Sequence, residues 1–442
     1  MTRSGRPGYL ALMPAVQPAA PTSRYERTCL LAALVLPLCW FVVYDHFAAG
    51  LLCDEPGHIG NIYSFIEQQP GWPAQMTMLP GYHFLVVSLW RLHLPLDVPS
   101  LARLVTAITA TIGIAAFAIA ARTLHSPDRP LATAGPPALL FALLPILQPF
   151  TGMAYTDAPS LAFALTAVAL HYRRRHATAA LAFIPGLLMR QTNLVWPAFL
   201  VALEFFRNWR DCPAFFARTR WLLALLAGSA LTIVAALRFA GRLTLGTQTG
   251  QDVDFNPATL HTLGLFVLLL GLPLLVAGTP AALRSLFSSL RAHPFRTAGL
   301  IAGGLAAAGI ATATYRNPHV WNRDLFWDGC TFTLLRNWPL VWIDGHPWLR
   351  LASGANLMLM SVALVRLVAG QPHRLALVFT LGFGLVPAFI NNLVEPRYFI
   401  PAAAFFLLHL NLTPVAVRLL ASWWLLLCAV HAPFIVRGLS LW

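Results

Sequence analysis

Lysine is absent from this chain: each of its 30 basic residues is arginine. Charge of either sign is scarce, at 10% of 442 residues, where a soluble domain carries about 25%. With 58% hydrophobic residues and a mean hydropathy of +0.66, that shortage excludes an ordinary water-soluble globule and points to a polytopic membrane protein. The six cysteines contain no CxxC and no Cys/His ligand spacing, which argues against a structural zinc site. A convincing Asp-x-Asp site for the metal of a nucleotide sugar is also lacking, since Asp252 and Asp254 alone make a poor case. The formal net charge of +14 would suggest nucleic acid in a soluble protein. Here the arginines fall in short clusters between apolar runs, so the charge reads as membrane topology and no nucleic-acid partner is expected.

Apolar stretches predict helices near 28–48, 101–121, 134–151, 156–171, 177–190, 193–206, 221–239, 259–278, 297–314, 351–369, 375–392, 397–413 and 420–436. The fold class is therefore all-α and polytopic, with about 12–14 transmembrane helices. Residues 1–27 read as a cytoplasmic tail and 28–442 as a single transmembrane domain. Arginine clusters at 122–129, 173–175, 207–220, 284–296 and 374 with 418 fall on the inner side only if residues 81–96 do not span. At about 16 residues, with Arg91 and His93 inside it, that segment suits an interfacial helix. The loop 49–100 then faces outward, and the carboxylates gather on that side, which in a membrane protein calls for a reason. The protein is expected to be a multi-pass integral membrane protein. Its composition is associated with a GC-rich bacterial genome, and its outer side is then the periplasm; in a eukaryote the membrane is that of the endoplasmic reticulum.

Three polar interruptions stand out on that outer side. The first runs from Cys53 to His83 and opens on the adjacent acids Asp54 and Glu55. The second pairs Tyr155-Thr156-Asp157 with Arg190-Gln191-Thr192-Asn193 and Trp196; Asp157 also reads as a helix cap ahead of Pro159. An arginine at 190 inside apolar sequence calls for an anion, and a lipid phosphate fits its planar donors, although snorkelling or an acid such as Glu395 would also satisfy it. The third is Glu395-Pro396-Arg397-Tyr398 with Pro401, where an internal ion pair in a tight turn is the plain alternative to a binding role.

Taken together these motifs resemble the dolichyl-phosphate-glucose-dependent alpha-1,2-glucosyltransferases, which add the last glucose to the lipid-linked oligosaccharide for N-glycosylation. The residues that carry the likeness are Asp54-Glu55, His58-Ile59, Trp72, Thr77, Pro80-Gly81, Tyr155 to Asp157, Arg190 to Asn193 with Trp196, and Glu395 to Tyr398 with Pro401, all in the family's order. Pro73 and Gln75 depart from it, where the family has Asp and Lys. The resemblance implies a GT-C type fold with the first outer loop over a cavity open to the bilayer, a polyprenyl-phosphate sugar as donor, a glycan or lipid-linked acceptor, and no metal or other cofactor. Glucose or another hexose would be transferred with inversion, for which one carboxylate base suffices. Asp54 takes that role, and Glu55, the second catalytic carboxylate, would orient the acceptor or sugar, the two acids being able to exchange roles. His58, Tyr155, Asp157, Gln191, Asn193, Glu395 and Tyr398 would bind substrate, with Arg190 and Arg397 offsetting phosphate charge. The competing class is a transporter or flippase of lipid-linked sugars, which predicts inverted repeats; the large first loop has no counterpart in the second half.

Overall fold

The computed structural model describes residues 23–437 except 49, 53, 74–75, 77, 129, 241–255, 319–337 and 390–393. Residues 1–22 of the expected tail, Cys53, Thr77, Gln75, Asp252 and Asp254 lie outside that range. Sixteen α-helices occur among the described residues, and no strand. Seven are long and apolar enough to cross a membrane: α1 (Ser23–Phe47), α4 (Val98–His125), α9 (Cys212–Ala240), α10 (Ala258–Ala292), α11 (Pro294–Thr314), α13 (Pro347–Ala369) and α16 (Pro414–Val436). Helix α1 begins at Ser23, ahead of the expected boundary at 28, because the polar turn holding Arg24, Glu26 and Arg27 continues the helix beyond its apolar part.

The other expected helices are present but shorter than a span. Helices α6 (Asp157–Tyr172, 16 residues), α7 (His176–Met189, 14), α8 (Val195–Asn208, 14) and α14 (Arg374–Phe389, 16) reach only about 21–24 Å at 1.5 Å per residue. The expected helix at 134–151 is broken: α5 (Gly135–Ala142) ends early, and a 3-10 turn follows at Gln148–Thr151 around Pro149. That at 397–413 shortens to α15 (Ile400–His409), preceded by a 3-10 turn at Pro396–Phe399. Both breaks fall beside prolines that cannot donate to the helix ladder.

The main core lies where α4 packs against α1, α5 and α6, and α4 is the most buried of the long helices. It starts sharply, with Asp97 accepting the Ser100 N–H at 2.8 Å and Pro99 in the first turn. Two helices from the first loop, α2 (Glu55–Ile66) and α3 (Gly81–Trp90), form a second, smaller core on the N-terminal end of α4, built from Ile59, Ile62, Val86, Leu101 and neighbours. Ten residues give α3 about 15 Å, half of a hydrocarbon core, so it does not span. Tyr82 fixes it by donating to the Ala102 carbonyl at 2.9 Å. Gly81 is required there: a Cβ would lie 2.7 Å from the Leu188 carbonyl oxygen of α7. Helices α8 and α15 meet through the parallel rings of Trp196 and Phe405, with centroids 3.8 Å apart.

Candidate active site

Asp54 sits immediately before α2 without capping it, so its carboxylate is free to turn away from the helix. Its Oδ2 accepts from Arg397 Nη1 at 2.9 Å, and its backbone N–H donates to the Tyr155 hydroxyl at 2.8 Å. The side chain keeps 29% exposure. Arg397, in the 3-10 turn ahead of α15, also pairs with Glu395 and lies over the rings of Tyr155 and Tyr398 at 5.6 and 5.7 Å from their centroids. The ion-pair reading of Glu395 and Arg397 thus holds, and the same guanidinium reaches across to the first loop.

Glu55 has a different place from the one expected of a catalytic acid. Its carboxylate is fully buried. Oε1 accepts from Arg103 Nε at 3.0 Å and the Ala154 N–H at 2.7 Å. Oε2 accepts from Arg103 Nη2 at 2.7 Å and the Leu52 N–H at 2.6 Å. A carboxylate offers about four acceptor sites, and all are taken, so Glu55 has none left for a substrate proton. Arg103 completes the clamp by donating to the carbonyls of Tyr44 and Gly50, each at 2.9 Å. Sequence reasoning passed over Arg103, although a lone arginine in the apolar run of α4 signals a buried partner.

Asp157 opens α6, but its side chain makes no capping bond; it pairs instead with Arg190. The capping reading fails because Thr156 occupies the cap position and Asp157 is already inside the first turn. Its Oδ2 is buried without a hydrogen-bond partner among the described residues. Asp157, Arg190, Asn193, Trp196, Arg397 and Tyr398 line a small cavity open to the outside. Among the described residues Arg190 pairs there with Asp157 alone and stands 6.0 Å from the centroid of the Tyr398 ring, which leaves guanidinium donors for an anion. Asn193 spends its amide on the carbonyls of Gly186 and Ser160, at 3.1 and 3.3 Å, so it ties α6 to α7 as well as lining the wall. Gln191 is half-buried in the same turn and is not among the lining residues.

His58 lies one turn beyond Asp54 and is buried. Its Nδ1 is 3.2 Å from Nε2 of His83, and its ring meets that of Tyr155 edge-on at 5.3 Å. Burial pushes its pKa down to about 4; the Asp54 charge opposes this, and Arg397 and Arg190 add to it. His58 is therefore neutral at pH 7, shaping the wall behind Asp54 rather than adding charge. His83, buried with Nδ1 unpartnered, is a second residue that the motifs did not single out. Among the described residues no three His, Cys, Asp or Glu side chains group as metal ligands would.

The geometry brings together Asp54, Tyr155, Asp157, Arg190, Arg397 and Tyr398 from three distant stretches, carboxylates beside a pair of arginines. Among solved structures, the chain is similar to the Archaeoglobus fulgidus oligosaccharyltransferase in its apo form, at 11% identity and a TM-score of 0.49, over 94% of this chain and 56% of that one. It is similar also to ArnT from Cupriavidus metallidurans bound to undecaprenyl phosphate, at 15% identity and a TM-score of 0.40, over 93% of this chain and 80% of that one. This chain thus spans little more than half the length of the archaeal enzyme. No curated protein matches it by sequence. Residues 49–220 match the DIE2/ALG10 family, and over that stretch, which holds the first-loop acids, Tyr155 to Asp157 and Arg190 to Asn193, the chain resembles that family.

Proposed function

We propose that this chain is an integral membrane glycosyltransferase that moves a hexose, glucose by resemblance, from a polyprenyl-phosphate donor to a hydroxyl of a glycan or lipid-linked acceptor with inversion. The observation that carries the reading is the reach of Arg397 to Asp54 at 2.9 Å, beside a cavity that also holds Arg190 and Asp157. Arg397 holds the Asp54 carboxylate in place from across the fold. The acceptor oxygen attacks the anomeric carbon as its proton passes to Asp54. The bond from that carbon to the phosphate oxygen breaks, and the electron pair leaves with the polyprenyl phosphate. Arg190 and Arg397 stabilise the charge gathering on that phosphate. Asp157 Oδ2, an unfilled acceptor on the cavity wall, takes a sugar hydroxyl, and the tyrosines flank the site. Glu55 contributes by holding the loop, not by taking a proton.

The test is a radiolabelled transfer assay with polyprenyl-phosphate glucose and purified protein. Asp54→Asn should lower turnover by roughly 10²- to 10⁴-fold, the range for loss of a general base, while donor binding survives. Near-normal turnover by that variant would remove the first loop from the chemistry.

A further inference from the structure

The opposite ends of the helices that bear the cavity carry a second charged surface. The turn between α6 and α7 holds Arg173, Arg174 and Arg175, all exposed, and the turn between α8 and α9 with its flanks holds Arg207, Arg210, Arg218 and Arg220. The two turns form one surface, because Glu204 on α8 meets His171 at the end of α6 (3.5 Å) and Arg218 on α9 (3.2 Å). Against seven arginines stand two acids, Glu204 and Asp211. Glu204 is occupied by His171, Arg207 and Arg218, and Asp211 accepts the Ala214 N–H at 3.0 Å as a helix cap. Arg173, Arg174, Arg175, Arg210 and Arg220 have no carboxylate partner among the described residues. Two of these lie against exposed indoles, Arg210 over Trp209 at 4.7 Å and Arg220 over Trp221 at 5.4 Å. Arg174 keeps φ at 60°, a left-handed conformation that glycine adopts without steric penalty and an arginine does not. The surface borders a candidate span that starts at Cys212, the depth at which phospholipid headgroups lie.

We infer that this surface is a docking site for anionic phospholipid headgroups. Guanidinium forks match phosphate oxygens, and indole rings settle at the boundary between headgroup and hydrocarbon. The site has a bearing on the cavity. Helices α7 and α8 are 14 residues each, about 21 Å, and Arg190 stands at their other end. Headgroups held at the basic turns fix the depth of this short hairpin, and with it the depth of the proposed donor-phosphate contact.

The test uses the full chain in nanodiscs of phosphatidylcholine, into which brominated phosphatidylglycerol or brominated phosphatidylcholine is titrated. The part of the tryptophan quenching that disappears in a W209F/W221F variant reports on the surface. Phosphatidylglycerol should quench that part at about fivefold lower mole fraction, the equivalent of one arginine's contribution near a charged membrane, and R173Q/R174Q/R175Q/R210Q/R220Q should abolish the difference. Equal quenching by the two lipids in the unmodified chain would overturn the site and leave the arginines as determinants of insertion only. A preference that persists in the glutamine variant would also overturn it. Should that variant fail to fold, the unmodified chain in 1 M salt decides, since screening to about 3 Å should erase the preference and a preference that survives the salt sinks the proposal. Neither readout depends on transfer activity, so the site can stand or fall apart from the proposed reaction.

Discussion

Changing Glu55 to Gln separates the two roles an acid in the first loop could have. The carboxylate receives four hydrogen bonds, from Arg103 Nε and Nη2 and the N–H groups of Leu52 and Ala154, at 2.6 to 3.0 Å. Glutamine offers one oxygen with two lone pairs, so two of the four donors come to face an NH₂ group, and buried Arg103 keeps only the more distant Asp45, 4.0 Å away, as counter-ion. Breaking a buried pair from one side costs about 3–5 kcal/mol, and Arg103→Ala should cost a similar amount, because Glu55 then keeps only its two backbone donors. Replacing both residues with methionine should cost less than the two single changes added together. It should not be neutral, since the carbonyls of Tyr44 and Gly50 and two backbone N–H groups lose partners at about 1–3 kcal/mol each. The assay is thermal unfolding in detergent run beside the transfer reaction. Glu55→Gln should lower both the melting temperature and turnover, whereas Asp54→Asn should lower turnover alone. A Glu55→Gln protein that melts like the unmodified chain yet fails to turn over would refute the clamp and make Glu55 the base.

Arg190→Ala should raise the apparent KM for the polyprenyl-phosphate donor far more than it lowers the melting temperature, with Arg190→Lys restoring only part of the loss because the planar fork is gone; donor binding measured by titration decides, and no change would reduce Arg190 to a partner of Asp157. Acid should destabilise the loop. His58 has a folded pKa of about 4 against 6.5, so the unfolded chain takes up the proton first, and its contribution is intact above pH 6.5 and lost as pH falls toward 4, by up to about 3 kcal/mol. In urea titrations at stepped pH, His58→Gln should flatten that decline, and an equally steep one would place the acid sensitivity elsewhere. For sidedness, a cysteine placed at Arg91 should react with an impermeant reagent from the outer face and one at Arg174 should not; the reverse pattern would invert the whole orientation.

The long helices were legible because bilayer-length apolar runs and arginine clusters bound them, and α3 because Arg91 and a short run forbade a span. Helix breaks were harder: nothing in the apolar character of 134–151 marks where α5 stops, and only the prolines hint at it. At the site, Asp54, Arg190 and Arg397 could be picked out as charges in apolar sequence. Their pairing could not, since Arg190 finds Asp157 rather than Glu395, and Arg397 reaches the first loop. Glu55 misled for a physical reason. Adjacent acids look alike in sequence, yet the helix turn after Asp54 sends one carboxylate to Arg397, which lines the cavity, and the other into the clamp with Arg103. Asn193 sits in a binding motif but works largely as a brace between helices.

The ion pair between Asp54 and Arg397 joins residues 343 positions apart, and that separation has a consequence for biosynthesis. At about 5–20 residues per second, roughly half a minute passes between the emergence of the first loop and that of its arginine. For that interval a nascent chain displays the acid without its ion-pair partner, and without the second arginine of the proposed site. For the proposed reaction, a partly inserted chain is therefore idle, and only the nearly finished polypeptide holds both halves of the proposed site.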